Sequence, residues 1–478
     1  TDACGNHSSA QQTITVNDTQ APVWITSPGS LNRTIQCSDA TGLTNAQALA
    51  PTASDNCTVN LTPVKTTGSF VTGSCPQSGT YTNTWVVSDD CGNTSSVYTQ
   101  VITIVDTQAP TLTPPADITI YKDAQCNYDA APAITGSASN VVDNCDPNPS
   151  VSHFDNPGFV FNPVNGDVNH GNGYSFPFVV RGMDGLTAAD IKSIMLYIST
   201  NQELSSLEYT LISPSGQGII LVGPYCASCN PGNTGNFKPT FYPASSGYPK
   251  WNSSNLITDS NGNYTPSDGV SYVNPTPPEL TAGYISKFED FTGPMNGTWT
   301  LFAIKDGTSS GHGAFNGITL TPKLCNNSDI IVRSWTATDA CGNTSPRYDQ
   351  VIKVLDNTVP VWTSVASSLD VTIECNNVTG LAAAQAMQPV ASDNCDKALV
   401  IKKTSGAFIP GTCPQKGTYT NTFTVEDNCG NQVATPFVQT ITIVDTTAPV
   451  LSEAPADVTV ECNAVPVAAT LTATDNCD

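Results

Sequence analysis

Short runs in which apolar and polar residues alternate, broken by turn signals, recur along this 478-residue chain. In "TYTNTWVVSDD" at 80–90 and "YTQVITIVD" at 98–106, apolar residues fall at every second position and the runs are bounded by Gly, Asn, Asp and Pro. That is the period of strands with one buried and one solvated face, and Thr and Ser suit the solvated one. Only "TGLTNAQALAP" at 41–51 and "TGLAAAQAMQP" at 379–389 read as short helices. About seven such strands in about 90 residues predict an antiparallel β-sandwich of immunoglobulin type.

The pattern repeats. "TDACGNHSSAQQTITVNDTQAP" at 1–22 returns, with substitutions, at 88–110, 338–360 and 426–449. Each copy leads into a second half, "LNRTIQC", "PADITIYKDAQC", "LDVTIEC" or "PADVTVEC", followed by an Asp-Asn-Cys motif. Cysteine spacing makes the alignment quantitative. Cys37, Cys57, Cys75 and Cys91 are separated by 20, 18 and 16 residues, and Cys375, Cys395, Cys413 and Cys429 have the same gaps. Cys126, Cys145, Cys325 and Cys341 have gaps of 19, 180 and 16, so a separate domain interrupts that repeat. The organisation expected is the C-terminal part of a preceding repeat at 1–20 and a repeat at 21–108. A second repeat at 109–358 is interrupted at about 158–324, a third spans 359–447, and the N-terminal part of a following repeat occupies 448–478.

Composition narrows the function. Twelve per cent charged and 39% hydrophobic residues suit folded modules. Seventeen cysteines beside four Met and four His indicate an oxidising, extracytoplasmic setting. No apolar run reaches membrane-span length and no signal peptide opens the chain, so an export signal is expected outside it. The net charge of −23 suits a soluble surface fibre and argues against nucleic-acid binding.

Sandwich topology suggests a bridge pattern. With "TYTNTWVV" as the penultimate strand, Cys91 lies in the loop after it, beside Asp-Asn-Cys, and Cys75 lies at the other end. The bridges expected are Cys57 with Cys91, Cys37 with Cys75, Cys145 with Cys341, Cys126 with Cys325, Cys395 with Cys429 and Cys375 with Cys413. "CASC" at 226–229 has zinc or redox spacing, but without a second pair or a His it reads as a small-loop disulfide between Cys226 and Cys229.

The pattern "APADVTVEC…ATDNCD…SWTATDACGNTS…QTITIVDTTAP" resembles the hyalin-repeat-type immunoglobulin-like modules, in the cysteine-rich form found in very large cell-surface proteins of Bacteroidota. The resemblance covers about two thirds of the chain. It implies a giant adhesin of the gliding-motility kind, exported by type IX secretion, engaging surface polysaccharide or another extracellular ligand and the outer-membrane export and motility machinery. The insert holds 21 of the 36 aromatic residues and therefore its own core. Its Ser213-Pro214-Ser215-Gly216 and its Gly297, Trp299, Asp306 and Gly307 resemble the P-domain of proprotein convertases, which implies a jelly-roll β-sandwich. The other reading is a carbohydrate-binding or targeting appendage of a secreted hydrolase.

Carboxylates recur at fixed places: Asp55, Asp143, Asp393 and Asp475 before the first motif cysteine, Asp89, Asp339 and Asp427 near the second, and Asp18, Asp106, Asp356 and Asp445 in the linkers. In an array, Asp18 faces Asp55 and Asp89, Asp106 faces Asp143 and Asp339, and Asp356 faces Asp393 and Asp427. Ca²⁺ takes six to eight oxygens in loose geometry and would neutralise such sets, at the junctions or in the inserted domain; Asx-turns alone also account for Asp and Asn there. Tyr242, Tyr248 and Trp251 form a candidate sugar-stacking platform in the insert, against ordinary packing. His7, His153, His170 and His312 show no catalytic motif, and no enzyme is expected.

Overall fold

The computed structural model describes residues 1–163, 166–168, 173–200, 207–223, 235–251, 262–267, 276–305, 313–325 and 328–478. The fold is all-β, with strands throughout and few, short helices. The chain forms two compact units, one of Thr1–Ala116, Gly136–Phe154 and Arg333–Gln350, the other of Asp117–Thr135, Asp155–Val332 and Val351–Asp478. The dividing line therefore runs through the second repeat.

In the first unit, the first repeat has seven strands. Arg33–Gln36, Tyr98–Val105, Gly79–Val86 and Val64–Thr66 form one sheet in that order, with Val71–Thr72 also on Gly79–Val86. The two long strands pair antiparallel from Gly79 opposite Ile104 to Trp85 opposite Tyr98, and alternate residues are buried. One feature departs from a purely antiparallel sandwich: Arg33–Gln36 runs parallel to Tyr98–Val105, Arg33 opposite Ile102. The opposing layer is only Val23–Trp24 paired with Ala53–Ser54, and the helix Ala40–Ala48 supplies much of the cover. Asp39 caps that helix, accepting from Gly42 N at 2.7 Å, and Ala46 packs against Ile35, Ile102 and Ile104. A buried polar knot fastens helix to sheet. Asn83 Nδ2 donates to Gln47 Oε1 at 2.8 Å and to Gln100 Oε1 at 3.0 Å, and Gln100 Nε2 donates to the carbonyls of Leu31 and Ala46.

In the second unit, the third repeat reproduces this plan. Val371–Glu374, Phe437–Val444, Gly417–Glu426 and Val400–Ser405 form its sheet, again with a parallel first pair. The helix Val378–Gln385 is capped by Asn377 and held by the same knot, Asn421 to Gln385 and Gln439. The insert is a two-sheet sandwich. One sheet is built on Gly313–Pro322 and Ile191–Thr200; the other is Gly173–Val180, Gly297–Lys305, Leu207–Ile212 and Gly218–Val222 in that order. Between them lies the largest core among the described residues, with Tyr209, Phe241, Trp299 and Phe315 fully buried and Trp299 Nε1 donating to Met295 O at 2.9 Å. No helix among the described residues is long and apolar enough to cross a membrane.

The disulfides differ from the expected pairs. Cys37 bonds Cys145 rather than Cys75, and Cys75 bonds Cys341. Cys126 bonds Cys395 rather than Cys325, Cys325 bonds Cys429, and Cys375 bonds Cys477 rather than Cys413. Cys57 and Cys91 are not joined to each other, and neither they nor Cys4, Cys413 and Cys462 have a bonded partner among the described residues. The rule is simple: the first and third cysteines of a repeat bond the second and fourth cysteines of the next. The two motif loops do lie together, since Asp90 N donates to Thr58 Oγ1 at 3.3 Å. In the later repeats, however, the motif-loop cysteines Cys145, Cys341, Cys395, Cys429 and Cys477 meet the preceding repeat, at Cα separations of 4.9 to 5.9 Å that suit a bridge. This explains the division of the second repeat, whose Cys145 and Cys341 bind it to the first repeat and whose Cys126 and Cys325 bind it to the third. The Cys226 and Cys229 pair, His170, His312, Asp306 and Gly307 lie outside the described residues.

Candidate functional site

Each motif loop is an Asx-turn. Asp55 Oδ2 accepts from the amides of Cys57 and Thr58, both at 2.9 Å. Asp143 Oδ1 does the same for Cys145 and Asp146, Asp393 Oδ1 for Cys395 and Asp396, and Asp475 Oδ1 for Cys477. In "DxCGN" the carboxylate is used more fully. Asp339 Oδ1 accepts from Cys341 N at 2.8 Å and Asn343 N at 2.9 Å, and its Oδ2 accepts from Asn343 Nδ2 at 2.8 Å. Asp89 and Asp427 repeat this set. The intervening glycine sits at positive φ, 87° at Gly92, 90° at Gly342 and 86° at Gly430, where a Cβ is disfavoured.

The same Asn holds the linker: Asn93 Nδ2 donates to Asp18 O at 3.1 Å, Asn343 Nδ2 to Asp106 O at 3.2 Å and Asn431 Nδ2 to Asp356 O at 3.1 Å. The linker prolines Pro22, Pro110 and Pro360 are buried. Asp146 and Asp396, the last residues of "DNCD", tie the two loops, accepting from Ala340 N at 2.8 Å and from Asn428 N at 3.0 Å. Sequence reading assigned them no part, although the recurring fourth letter of the motif was a signal for it.

These contacts bring three carboxylates together at each of three places. Asp18, Asp55 and Asp89 offer one oxygen each within 4.8 Å of one another; so do Asp106, Asp143 and Asp339 in the first unit, and Asp356, Asp393 and Asp427 in the second. Asp445 and Asp475 are not in such a set among the described residues; Asp445 instead lies beside the bonded sulfurs of Cys375 and Cys477. In each set the linker and Asp-Asn-Cys carboxylates both keep one buried oxygen with no hydrogen-bond donor: Asp18 Oδ2 and Asp55 Oδ1, Asp106 Oδ2 and Asp143 Oδ2, Asp356 Oδ2 and Asp393 Oδ2. A buried acceptor without a donor costs about 1–3 kcal/mol, and more when ionised.

The electrostatics follow. Burial raises the Asp106 carboxyl above the ordinary carboxylate range, with the charges of Asp143 and Asp339 acting the same way, and burial followed by Asp393 and Asp427 does so at Asp356. Asp55 is lowered, by the amides of Thr58 and Cys57 first. The Cys57 thiol is raised by desolvation, then by the charge of Asp18. All the donors in these sets are carboxylate oxygens, the chemistry of a hard cation rather than of zinc.

The aromatic platform does not assemble as expected. Trp251 is 4% exposed, buried with Phe241 and Tyr264 at ring-centroid distances of 5.6 and 4.9 Å, so it belongs to the core. Tyr242 and Tyr248 pack on each other at 4.8 Å, and Tyr248 is exposed. His153 packs on Trp335 at a ring-centroid distance of 4.9 Å, and His7 Nδ1 shares a hydrogen bond with the Thr1 hydroxyl.

Residues 25–104 match the family model of the "HYR-like domain with 4 cysteines". That stretch of the first repeat is therefore similar to this family, and it is all-β with two of its cysteines, Cys37 and Cys75, in disulfides. No curated protein matches the chain. Among solved structures, the EC21–23 fragment of human CDH23 is similar at 16% identity and a TM-score of 0.18, covering 34% of this chain; the chain spans 63% of that fragment. Drosophila N-cadherin EC1–4 is similar at 10% identity over 90% of this chain and 76% of that one, with a TM-score of 0.18. Bacteroides ovatus SGBP-B, in complex with a mixed-linkage heptasaccharide, is similar at 10% identity over 90% and 72%, with a TM-score of 0.12.

Proposed function

We propose that this chain is part of an extracellular repeat fibre that acts as a cell-surface adhesin, with its insert as the presented domain. One observation carries the reading: neighbouring repeats are joined by two disulfides, Cys37–Cys145 with Cys75–Cys341 and Cys126–Cys395 with Cys325–Cys429. A covalent lace between repeats carries tension past each linker, a property that serves a chain pulled between a cell and a surface and adds little to a freely diffusing enzyme. Seventeen cysteines in a strongly acidic chain fit the exterior of the cell. The finer reading, a gliding-motility adhesin of type IX secretion with a P-domain-like insert binding surface polysaccharide, rests on the resemblance of the repeats and of the insert. We infer also that Ca²⁺ is the cofactor of the junctions, because the carboxylate sets need a neutralising charge.

The lace is tested by placing a protease site in the linker between Val105 and Thr111. After cleavage the two pieces should stay together on a non-reducing gel and part on reduction; separation without reductant would sink the reading. Adhesion is tested with beads carrying the full chain on polysaccharide-coated surfaces. Deleting 158–324 should abolish attachment, and undiminished attachment would remove the insert from the presenting role.

A further inference from the structure

The three carboxylates of a junction do not do the same work. Asp339 and Asp427 spend both oxygens on their own loops, which they close through Cys341 and Asn343, or Cys429 and Asn431. The linker and Asp-Asn-Cys carboxylates spend one oxygen each. Asp106 Oδ1 accepts from Gln36 Nε2 at 3.2 Å and Asp356 Oδ1 from Thr358 N at 3.0 Å, while the second oxygen of each accepts nothing. Asp106 is 8% exposed, Asp356 4% and Asp393 9%, so these oxygens have little access to water. The arrangement is the same in two separate units of the chain, which sets it apart from an accident of one loop.

We propose that each set is a site for one hard divalent cation of the Ca²⁺ class, held by the unpartnered oxygens of the linker Asp and the Asp-Asn-Cys Asp. In this assignment Asp106 acts with Asp143 and Asp356 with Asp393, and the "DxCGN" Asp is a positioning residue. The inference rests on Ca²⁺ being the junction cofactor and assigns its ligands. The linker Asp ends the last strand of one repeat and the Asp-Asn-Cys Asp belongs to the next, so the ion fastens two repeats at the place the disulfides also join. Ca²⁺ suits the site better than Mg²⁺, because Mg²⁺ demands near-ideal octahedral geometry and sheds its waters reluctantly, whereas these carboxylate oxygens are fixed by their loops and shut off from bulk water.

The test is calorimetric titration of Ca²⁺ into the full, chelator-stripped chain and into Asp143→Asn and Asp393→Asn. The wild type should take up one ion for each of the three sets, and each variant should lose one equivalent. Asp339→Asn should keep its ion with an affinity changed by less than about tenfold, since its oxygens already serve the loop. Peptide mapping of each variant checks that Cys37–Cys145 and Cys126–Cys395 have formed; where one has not, Asp106→Asn or Asp356→Asn replaces it and should lose the same equivalent. A wild-type chain that binds no Ca²⁺ overturns both this assignment and the cofactor reading. Binding with full stoichiometry in both variants keeps Ca²⁺ as cofactor and overturns the assignment alone.

Discussion

At the scale of the residue, "DxCGN" is a folding device before it is anything else. Asp339 accepts three hydrogen bonds within five residues, and Asn343 passes its amide on to the Asp106 carbonyl. Asp339→Ala removes all three acceptors and should destabilise the loop by about 3 kcal/mol, since bonds to a charged group contribute roughly 1.5–3 kcal/mol each and partly re-form with water. Hydrogen exchange at the Cys341 and Asn343 amides is the direct measure, and unchanged protection would contradict the geometry. Gly342→Ala tests the turn separately. At φ 90° it should cost about 1–2 kcal/mol while the Asp339 contacts survive.

At the scale of the element, the repeats are small sandwiches whose second layer is little more than one short strand pair and a helix. What fixes the helix is polar: Asn83 bridges Gln47 and Gln100 in the first repeat, and Asn421 bridges Gln385 and Gln439 in the third. Asn83→Leu should cost about 1–3 kcal/mol because it strands the buried Gln100 Oε1, while Gln47 Oε1 keeps Lys65 Nζ, whereas the exposed neighbour Thr82→Ala should stay within about 0.5 kcal/mol. Thermal unfolding of both variants decides it. Equal losses would mean that the strand, and not the knot, carries the effect. Lys65 and Lys403 add a second link from sheet to helix, each donating to a carbonyl at the helix end, of Gln47 and of Gln385.

At the scale of the whole molecule, the repeats and the insert are stabilised by different means. The repeats have small cores and long-range bridges, with 104 to 269 residues between partners at the two complete junctions. A closed loop of that order contributes about 4–5 kcal/mol in the chain-entropy account. The insert has a large aromatic core, and its only cysteines are Cys226 and Cys229. Reduction should therefore expose the repeats to protease first while 158–324 survives as a resistant fragment, as mass mapping of a limited digest would show. Simultaneous digestion of repeats and insert would contradict the separation of their cores.

Much of this was legible in the amino-acid order. Alternating runs predict the strands, and "TGLTNAQALAP" and "TGLAAAQAMQP" predict two of the three short α-helices among the described residues, Ala40–Ala48 and Val378–Gln385 but not Pro132–Thr135. The expected aspartate sets are also the sets that come together, because linker and loop carboxylates keep a constant place relative to strand ends. Trp251 turns into the core, and an aromatic in a Gly/Pro-rich stretch carries no sign of that direction in the sequence. The bridges were misread for a deeper reason. Bridges within one sandwich and bridges between neighbouring sandwiches draw on the same evenly spaced cysteines, so spacing alone does not tell whether Cys37 turns to Cys75 in its own repeat or to Cys145 in the next. Local periodicity and turn chemistry are properties of neighbouring residues and are written in the sequence; which loop end faces which repeat depends on distances across a junction, and only the tertiary structure decides that.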